Sequence, residues 1–180
     1  MVRVSRLLQQ SGPRTALVVE VPAAEPVVGR FRASYDPSAG QGVPAHVTVL
    51  YPWLPTGALD DATLRDLADV LAAVSSFDVR FASLQRFPQT LWVAPEPPDP
   101  FITLTWAVCA RWPECPPYGG EFDSVIPHLT VADDVDVDSL AHVVTEVAPA
   151  LPIATRVETV TLLALDGTGR WNRHSTYPLG

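Results

Sequence analysis

The sequence predicts an α+β fold made of two similar halves, and three observations lead to this prediction. First, 180 residues, of which 47% are hydrophobic, are enough for one domain with its own core. Second, the order strand, helix, loop, histidine-containing strand, helix, strand occurs twice. Third, each half alone is too short for a stable core. We therefore expect a single domain, 1–180, with two pseudo-symmetric lobes of approximately 15–90 and 91–180, strand exchange between them, an antiparallel-rich sheet, outer helices and a central cleft.

Turn-forming residues separate the elements of the first lobe. Nineteen prolines and ten glycines divide the chain into short segments. A β-branched segment begins after Pro44 and ends at Pro52, as expected for a strand. Apolar side chains at helical spacing, with an aspartate before them as a possible N-cap, indicate the longer helix. The predicted elements are strand 16–21, helix Glu25–Tyr35, loop 36–44, strand 46–51, helix 60–74, and strands Phe77–Phe87 and 91–94.

The second lobe repeats this order, and segment 91–94 also serves as its opening strand. A loop rich in proline and glycine, 113–120, leads to the second histidine-containing strand. The turn Asp-Gly-Thr-Gly at 166–169 is typical of a hairpin between the last two strands. The predicted elements are helix 101–112, strand 128–132, helix 137–150, and strands 156–165 and Trp171–Pro178.

A four-residue motif, histidine–apolar–threonine–apolar, occurs once in each lobe. It reads His-Val-Thr-Val from His46 and His-Leu-Thr-Val from His128. Side chains alternate between the two faces of a strand, so His46 and Thr48 share one face while their apolar neighbours enter the core. His128 and Thr130 repeat this arrangement. Each lobe therefore presents one imidazole and one hydroxyl to the cleft from a rigid strand.

These four side chains suit the cleavage of a phosphodiester. One group must take a proton from the attacking water or hydroxyl, and a second must protonate the leaving oxygen on the opposite side of phosphorus. An imidazole can do either, because its ordinary pKa is about 6.5. The hydroxyls of Thr48 and Thr130 can stabilise the charge on the non-bridging oxygens. The set is sufficient without a metal or another cofactor, although one copy of the motif alone would more often be a half-buried polar pair.

At these residues the sequence resembles the two-histidine (2H) phosphoesterase superfamily, in the branch of bacterial 2′,5′ RNA ligase-like proteins and cyclic phosphodiesterases. The resemblance extends from residue 16 to the C-terminus and includes Pro-Pro-Tyr-Gly-Gly before the second motif. It implies a duplicated, bilobal two-histidine phosphoesterase-like fold around a water-filled cleft. It also implies metal-independent opening of a 2′,3′-cyclic phosphate, of an RNA end or a small nucleotide, or reversible 2′,5′ ligation. The catalytic residues that it implies are His46, Thr48, His128 and Thr130.

One position departs from the family pattern. Many RNA ligase-like members carry a basic residue shortly after the second motif, often five positions after its histidine, whereas this chain has Asp133 followed by Asp134. An acidic residue there disfavours a grip on a long RNA strand and therefore disfavours ligation. Two alternatives to the hydrolase stay open: a nucleotide-binding module that uses the same cleft without catalysis, and a 2′,5′ RNA ligase. The sequence also leaves open which histidine is the acid and which the base.

Five further residues are candidates for substrate contact. Tyr118 and Phe122, in the loop before the second motif, can stack on a nucleobase or instead pack the loop against the protein. Arg86, Arg170 and Arg173 can bind a phosphate or a ribose, although each alone is typical of a paired or solvated surface arginine. No metal site is predicted, because the spacings of histidine and cysteine match no ligand pattern.

Charge limits the partners. The formal net charge is −8 with a pI of about 4.8, and all twelve basic residues are arginines. An acidic surface disfavours binding along a nucleic-acid backbone, so no extended nucleic-acid groove is expected. Arginine can still bind a single phosphate through its guanidinium fork. The expected partner is a nucleotide or a short RNA end.

Composition also suggests a compartment. No apolar run is long enough for a membrane helix, and residues 1–14 lack the apolar region of a signal peptide. The cysteines Cys109 and Cys115 form no disulfide framework. We expect a cytoplasmic protein that does not bind membranes. A monomer is favoured, although the sequence leaves the oligomeric state open.

Overall fold

The computed structural model describes residues 14–122 and 124–180, and its centre is one eight-stranded antiparallel sheet. Its strands are β1 Thr15–Glu20, β2 His46–Leu50, β3 Phe77–Phe87, β4 Thr90–Glu96, β5 Leu129–Ala132, β6 Ile153–Val157, β7 Thr159–Leu165 and β8 Trp171–Pro178. In space the order is β6-β3-β4-β5-β2-β1-β7-β8. The two strands that carry the motif are therefore neighbours at the centre of the sheet.

Helices connect the strands in both halves. Those of the described residues are α1 Glu25–Tyr35, α2 Pro37–Gly40, α3 Asp61–Ala72, α4 Asp99–Arg111 and α5 Ala141–Val147. Helix α3 begins after Asp60, whose carboxylate accepts a hydrogen bond from the Thr63 N–H at 2.8 Å. This is the predicted N-cap, and it satisfies one of the free N–H groups of the first turn.

The sheet exchanges strands between the two halves of the chain. Strand β3 follows β2 in sequence but pairs with β4 and β6, whereas β7 and β8 return to pair beside β1. One half of the sheet is thus β6-β3-β4-β5 and the other is β2-β1-β7-β8. The only pairing between these halves within the described residues is β2 with β5, at Val47 and Leu129. The division of the chain into lobes near residue 90 stays a prediction.

The main hydrophobic core lies between the helices and one face of the sheet. Val47 and Leu129, which alternate with the motif side chains, are fully buried there with Phe101 and Leu104 of α4. Burial of each such side chain contributes roughly 1.5–3 kcal/mol to folding. The motif side chains consequently lie on the other face, which the helices leave uncovered. The predicted α+β architecture, with outer helices and a central cleft, is confirmed.

Three predicted elements are wrong. The loop predicted for 36–44 contains helix α2, because the carboxylate of Asp36 caps this turn by accepting a hydrogen bond from the Ser38 N–H at 2.9 Å. Segment 156–165, predicted as one strand, is two strands separated at Glu158: β6 pairs with β3 and β7 with β1, at opposite ends of the sheet. Segment 137–150, predicted as one long helix, is α5 flanked by the 3₁₀ segments Val137–Leu140 and Ala148–Ala150. The proline at 149 cannot donate a backbone hydrogen bond, which accounts for the change at the end of this segment.

No helix within 14–122 and 124–180 is long and apolar enough to cross a membrane. Most of segment 1–14, for which the sequence predicts no signal peptide, lies outside the described residues.

Candidate active site

The central strands bring the four motif residues together. Val47 lies opposite Leu129 in the antiparallel pair of β2 and β5. The flanking residues therefore meet on the cleft face, with His46 beside Thr130 and Thr48 beside His128. All four side chains are half-buried. The four motif residues thus form one cluster where the two central strands, β2 and β5, meet.

The two imidazoles occupy diagonal positions of this cluster. Diagonal neighbours in an antiparallel pair are separated by about 7–8 Å. Because this is the separation of the two backbones and both side chains project from the same face, the two rings enter the same space, where each can hydrogen-bond to one phosphate at roughly 2.8 Å. His46 and His128 are also close enough that a positive charge on His128 lowers the pKa of His46. One phosphorus atom can therefore lie between both rings.

The backbone anchors the two histidines in the same way. The ring Nδ1 of His46 lies 2.8 Å from the carbonyl oxygen of Pro44, and that of His128 lies 2.8 Å from the carbonyl oxygen of Ile126. A carbonyl oxygen only accepts, so each Nδ1 must carry the hydrogen. In each neutral ring Nε2 then keeps its lone pair for a ligand. Both imidazoles have the tautomer that general base catalysis needs.

Burial keeps both imidazoles neutral. Burial, together with the positive charge of Arg32, lowers the pKa of His46 to about 4. Burial also lowers the pKa of His128 below its ordinary 6.5, although its Nδ1–H bond and the carboxylate of Asp133 act in the opposite direction. At neutral pH and without ligand, both rings are therefore predominantly uncharged.

Charged side chains surround His46. Arg32, in the last turn of α1, is 2% exposed and forms an ion pair with the buried carboxylate of Asp36. Across the β1–β2 pair, Glu20 lies opposite His46 on the cleft face. Arg173 of β8 donates to Glu20 from Nε at 2.9 Å and also from Nη2. Leu163, which lies opposite Arg173 in the β7–β8 pair, packs in a small apolar cluster with Val18, two residues before Glu20 on the same face of β1. Arg173 therefore also lies on the cleft side.

Aromatic side chains surround His128. The ring of Phe87 lies 5.3 Å from the imidazole and that of Trp92 lies 5.8 Å away, both edge-to-face, and the two aromatic rings stack on each other at 4.8 Å. Trp92 faces Thr130 across the β4–β5 pair. Its indole N–H is buried and has no hydrogen-bond partner within the described residues. This wall excludes water from one side of the ring, which accounts for the lowered pKa of His128.

The only acidic neighbour that perturbs the pKa of His128 among the described residues is Asp133, at the end of β5. Its carboxylate accepts a hydrogen bond from the Thr90 hydroxyl at 2.7 Å, and its backbone N–H donates to the carbonyl of Tyr35. Burial raises the pKa of Asp133, and the nearby charge of Asp36 raises it further. The acidic residue five positions after the second histidine is therefore fixed close to the site.

The other predicted contact residues lie in different places. Tyr118 and Phe122 pack edge-to-face at 5.5 Å in the loop before His128, and the Tyr118 N–H holds this loop to the end of β2 through the Tyr51 carbonyl. The Phe122 ring is 50% exposed. Burial raises the pKa of Tyr118 to about 12, so its hydroxyl stays protonated. The hydrogen bond to Tyr51 thus places Tyr118 beside the C-terminal end of β2.

Two of the predicted arginines are not brought to the histidines. Arg86 pairs across β3–β4 with the core residue Leu91 and therefore lies on the helix-covered face, where it contacts Asp138. Arg170 is exposed at the tip of the β7–β8 hairpin, beside Gly42. Of the three arginines, only Arg173 shares the face of the motif.

Several residues near the site were not predicted from the sequence. Arg32 had a usable signal, because it follows Val28 by four residues and so falls on the buried face of α1. Phe87 and Trp92 had none, since their contact with His128 depends on the register of β3, β4 and β5. No cluster of three or more potential metal ligands occurs among the residues that the structure describes.

Comparisons with known proteins agree with this fold. The family model of the 2′-5′ RNA ligase superfamily matches residues 19–169. The structure of LigT from E. coli with 3′-AMP covers 94% of this chain and 99% of its own, with a TM-score of 0.57 and 18% identity. The protein TT0787 of Thermus thermophilus covers 92% and 97%, with a TM-score of 0.59 and 18% identity. No curated protein matches significantly.

Proposed function

Because this chain belongs to the 2′-5′ RNA ligase superfamily, we propose that it is a metal-independent phosphoesterase that opens a cyclic phosphodiester. The proposed substrate is the 2′,3′-cyclic phosphate of an RNA end or of a small nucleotide. The observation that supports this most is the matched pair of imidazoles, since His46 and His128 are each anchored through Nδ1 and each keep Nε2 for a ligand. Thr48 and Thr130 add a hydroxyl donor beside each ring.

In this mechanism the two imidazoles act together on one phosphorus atom. The neutral ring accepts a proton from water as the water oxygen forms its bond to phosphorus. The bond from phosphorus to the ribose O2′ or O3′ breaks, and the protonated ring gives its proton to that oxygen. The product is a phosphomonoester beside a free hydroxyl, and the two rings return to their starting protonation through solvent. The hydroxyls of Thr48 and Thr130 donate to the non-bridging oxygens.

The chemistry requires one neutral and one protonated imidazole. A positive charge on His128 lowers the pKa of His46, which disfavours the state with two imidazolium ions. The negative charge of a bound phosphodiester favours one imidazolium over none. A bound substrate therefore promotes the singly protonated pair that its own cleavage needs.

The neighbouring charges support one assignment of the two roles. The guanidinium of Arg32 acts against a proton on His46, whereas the carboxylate of Asp133 favours a proton on His128. We therefore assign His46 as the base and His128 as the acid. The leaving ribose oxygen then lies on the His128 side of the phosphorus.

This orientation suggests where the nucleoside binds. LigT from E. coli has been crystallised with 3′-AMP, NADP⁺ and ATP. In this chain, Phe87 and Trp92 form an aromatic wall beside His128, and Tyr118 and Phe122 pack on each other in the loop that precedes it. Stacking of a base on an aromatic ring contributes roughly 1–3 kcal/mol. We propose that the base lies among these rings and that Arg173 contacts the substrate from the opposite side.

The experiment is an assay of the purified protein with 2′,3′-cyclic nucleoside monophosphates in EDTA, with the product identified by phosphorus NMR. Hydrolysis is expected to survive EDTA. His46→Ala and His128→Ala should each lower the rate by about 10²–10⁴-fold, because each removes one proton-transfer group. His142→Ala is the matched control, since His142 is an exposed histidine on α5 that contacts Tyr35. It should retain wild-type turnover.

The outcomes separate the alternatives. Wild-type turnover in both His46→Ala and His128→Ala would refute the proposed mechanism. Saturable nucleotide binding without product, lost in the same two variants, would indicate a binding module instead. A product with a new 2′,5′ linkage from two RNA ends would indicate a ligase.

A further inference from the structure

The most deeply buried charge near the site, that of Arg32, takes no part in the proton transfers of the proposed reaction. Arg32 is 2% exposed, although an unpaired charge in such a position would be strongly destabilising. Its Nε and Nη2 donate to the Asp36 carboxylate at 3.1 and 2.9 Å. Because a buried ion pair contributes little net stability compared with apolar residues of the same size, stability alone does not explain this arginine.

Two further contacts of Arg32 lead to His46. Its Nη2 also donates to the Val43 carbonyl at 3.2 Å and lies 3.4 Å from the Ser38 hydroxyl. One guanidinium thus fixes both ends of the segment that connects α1 to β2. The next residue along the chain, Pro44, supplies the carbonyl that orients the His46 ring. The position of that ring therefore depends on the contacts of Arg32.

Charged groups surround His46 on several sides. From α1 and the residue after it come Arg32, which disfavours a proton on the ring, and Asp36, which favours one. From β1 comes Glu20, which Arg173 neutralises. Glu25 uses its carboxylate to accept the Ala45 N–H at 2.6 Å, and across the cleft lies His128.

We propose that Arg32 is a positioning residue of the phosphoesterase reaction, which holds the Pro44 carbonyl in place for His46 and sets a fixed positive charge beside that ring. This inference rests on the proposed function. The hydrogen bonds of Arg32 determine where the Nε2 lone pair points, and its charge keeps that lone pair free. Both effects serve a general base.

The test compares Arg32→Met, Arg32→Lys and Arg30→Met. Methionine removes the charge and all the hydrogen bonds, whereas lysine keeps the charge but not the fork that joins Asp36 to Val43. Arg30 is the matched control, because it lies on the same helix but is exposed and paired with Glu146. The two measurements are the pH profile of kcat/KM and an NMR titration of His46, which is practical in a chain with four histidines.

For Arg32→Met, the pKa of His46 should rise by about one unit or more, and the acid limb of kcat/KM should move upwards by the same amount. Arg32→Lys should keep the acid limb near its wild-type position but lower kcat by about tenfold, because the ring is less well oriented. Arg30→Met should change neither quantity. A uniform loss of rate without a shift of the limb, and without a change in the NMR titration, would reduce Arg32 to a structural role and overturn the inference.

Failure of the inference is distinguishable from failure of the proposed function. The NMR titration requires no substrate, so an unchanged His46 pKa in Arg32→Lys and a raised one in Arg32→Met would support the inference even in a protein without turnover. If methionine at this position prevents folding, the lysine variant still tests the orientation effect through kcat. A wild-type kcat in Arg32→Lys would then overturn that half of the proposal.

Discussion

Each side of the cleft contains a histidine that donates a hydrogen bond from Nδ1 to a backbone carbonyl oxygen, yet the residues around the two histidines differ. Each imidazole is anchored by a carbonyl two residues earlier in the chain, and burial lowers the pKa of each. Around His46 the neighbours are charged, and of these charges Arg32 has the largest effect on the pKa of His46. Around His128 they are aromatic, with Asp133 as the nearby charge. Duplication thus supplies two equivalent groups, and the residues around them make the two groups chemically different.

The largest expected effect is on the rates of the two histidine variants. It tests whether the different surroundings make His46 the base and His128 the acid. A p-nitrophenyl ester of a nucleoside phosphate has a leaving group that needs no proton, so the acid becomes dispensable while the base does not. On this substrate, His128→Ala should come within about tenfold of the wild-type rate, whereas His46→Ala should remain about 10²–10⁴-fold slower. The measurement is the release of p-nitrophenolate, followed by its absorbance. Equal losses in both variants would show that the charges around the rings do not decide their roles.

A smaller effect tests the charge beside His128. Asp133→Asn removes a carboxylate that favours the imidazolium, so the pKa of His128 should fall further below 6.5. Above that pKa fewer molecules carry the required proton, and the alkaline limb of kcat/KM should move to lower pH. A shift of about half a unit lowers the rate on that limb by roughly threefold. Asp134→Asn is the matched control, because Asp134 is exposed and asparagine tolerates its positive φ of 56°. An alkaline limb that stays in place in Asp133→Asn would exclude this effect.

The smallest expected effect is on KM, and it distinguishes two arginines on opposite faces of the sheet. Arg173→Ala should raise KM for a nucleotide severalfold with little change in kcat, because Arg173 lies on the cleft face without touching the histidines. Arg86→Ala should change neither constant, since Arg86 pairs with Asp138 on the helix-covered face. Steady-state kinetics of both variants measures this. Equal effects on KM would contradict the placement of the substrate near β8.

The tetrad could be predicted because it depends on a local rule. Alternation along one strand puts His46 and Thr48 on the same face in any sheet, so the motif alone is enough. The duplicated order of elements then predicted two such strands facing one cleft. The spacing within the four-residue motif was therefore enough to place each histidine and its threonine on one face, and the repeat was enough to pair the two motifs.

Residues whose placement depends on register could not be predicted in this way. A bulge in β3, between Phe81 and Ser83, shifts the alternation by one residue. After it, Arg86 falls on the helix-covered face and Phe87 on the cleft face, which a uniform alternation does not reveal. The break at Glu158 is similar, since the residues on both sides are good strand formers and only their distant partners differ. Such features are set by pairing between remote segments.

The narrow junction between the halves of the sheet has a mechanical consequence. Within the described residues, β2 and β5 pair at one position, Val47 with Leu129, whereas β3 and β4 pair along most of their length. A phosphate bound by both imidazoles would add a link between the two halves of the sheet, at the place where backbone pairing is shortest. An anion that binds both imidazoles should raise the melting temperature, and the rise should be larger for an anion of higher affinity. The thermal stability of the protein with an anion would then report how tightly that anion binds between the two histidines.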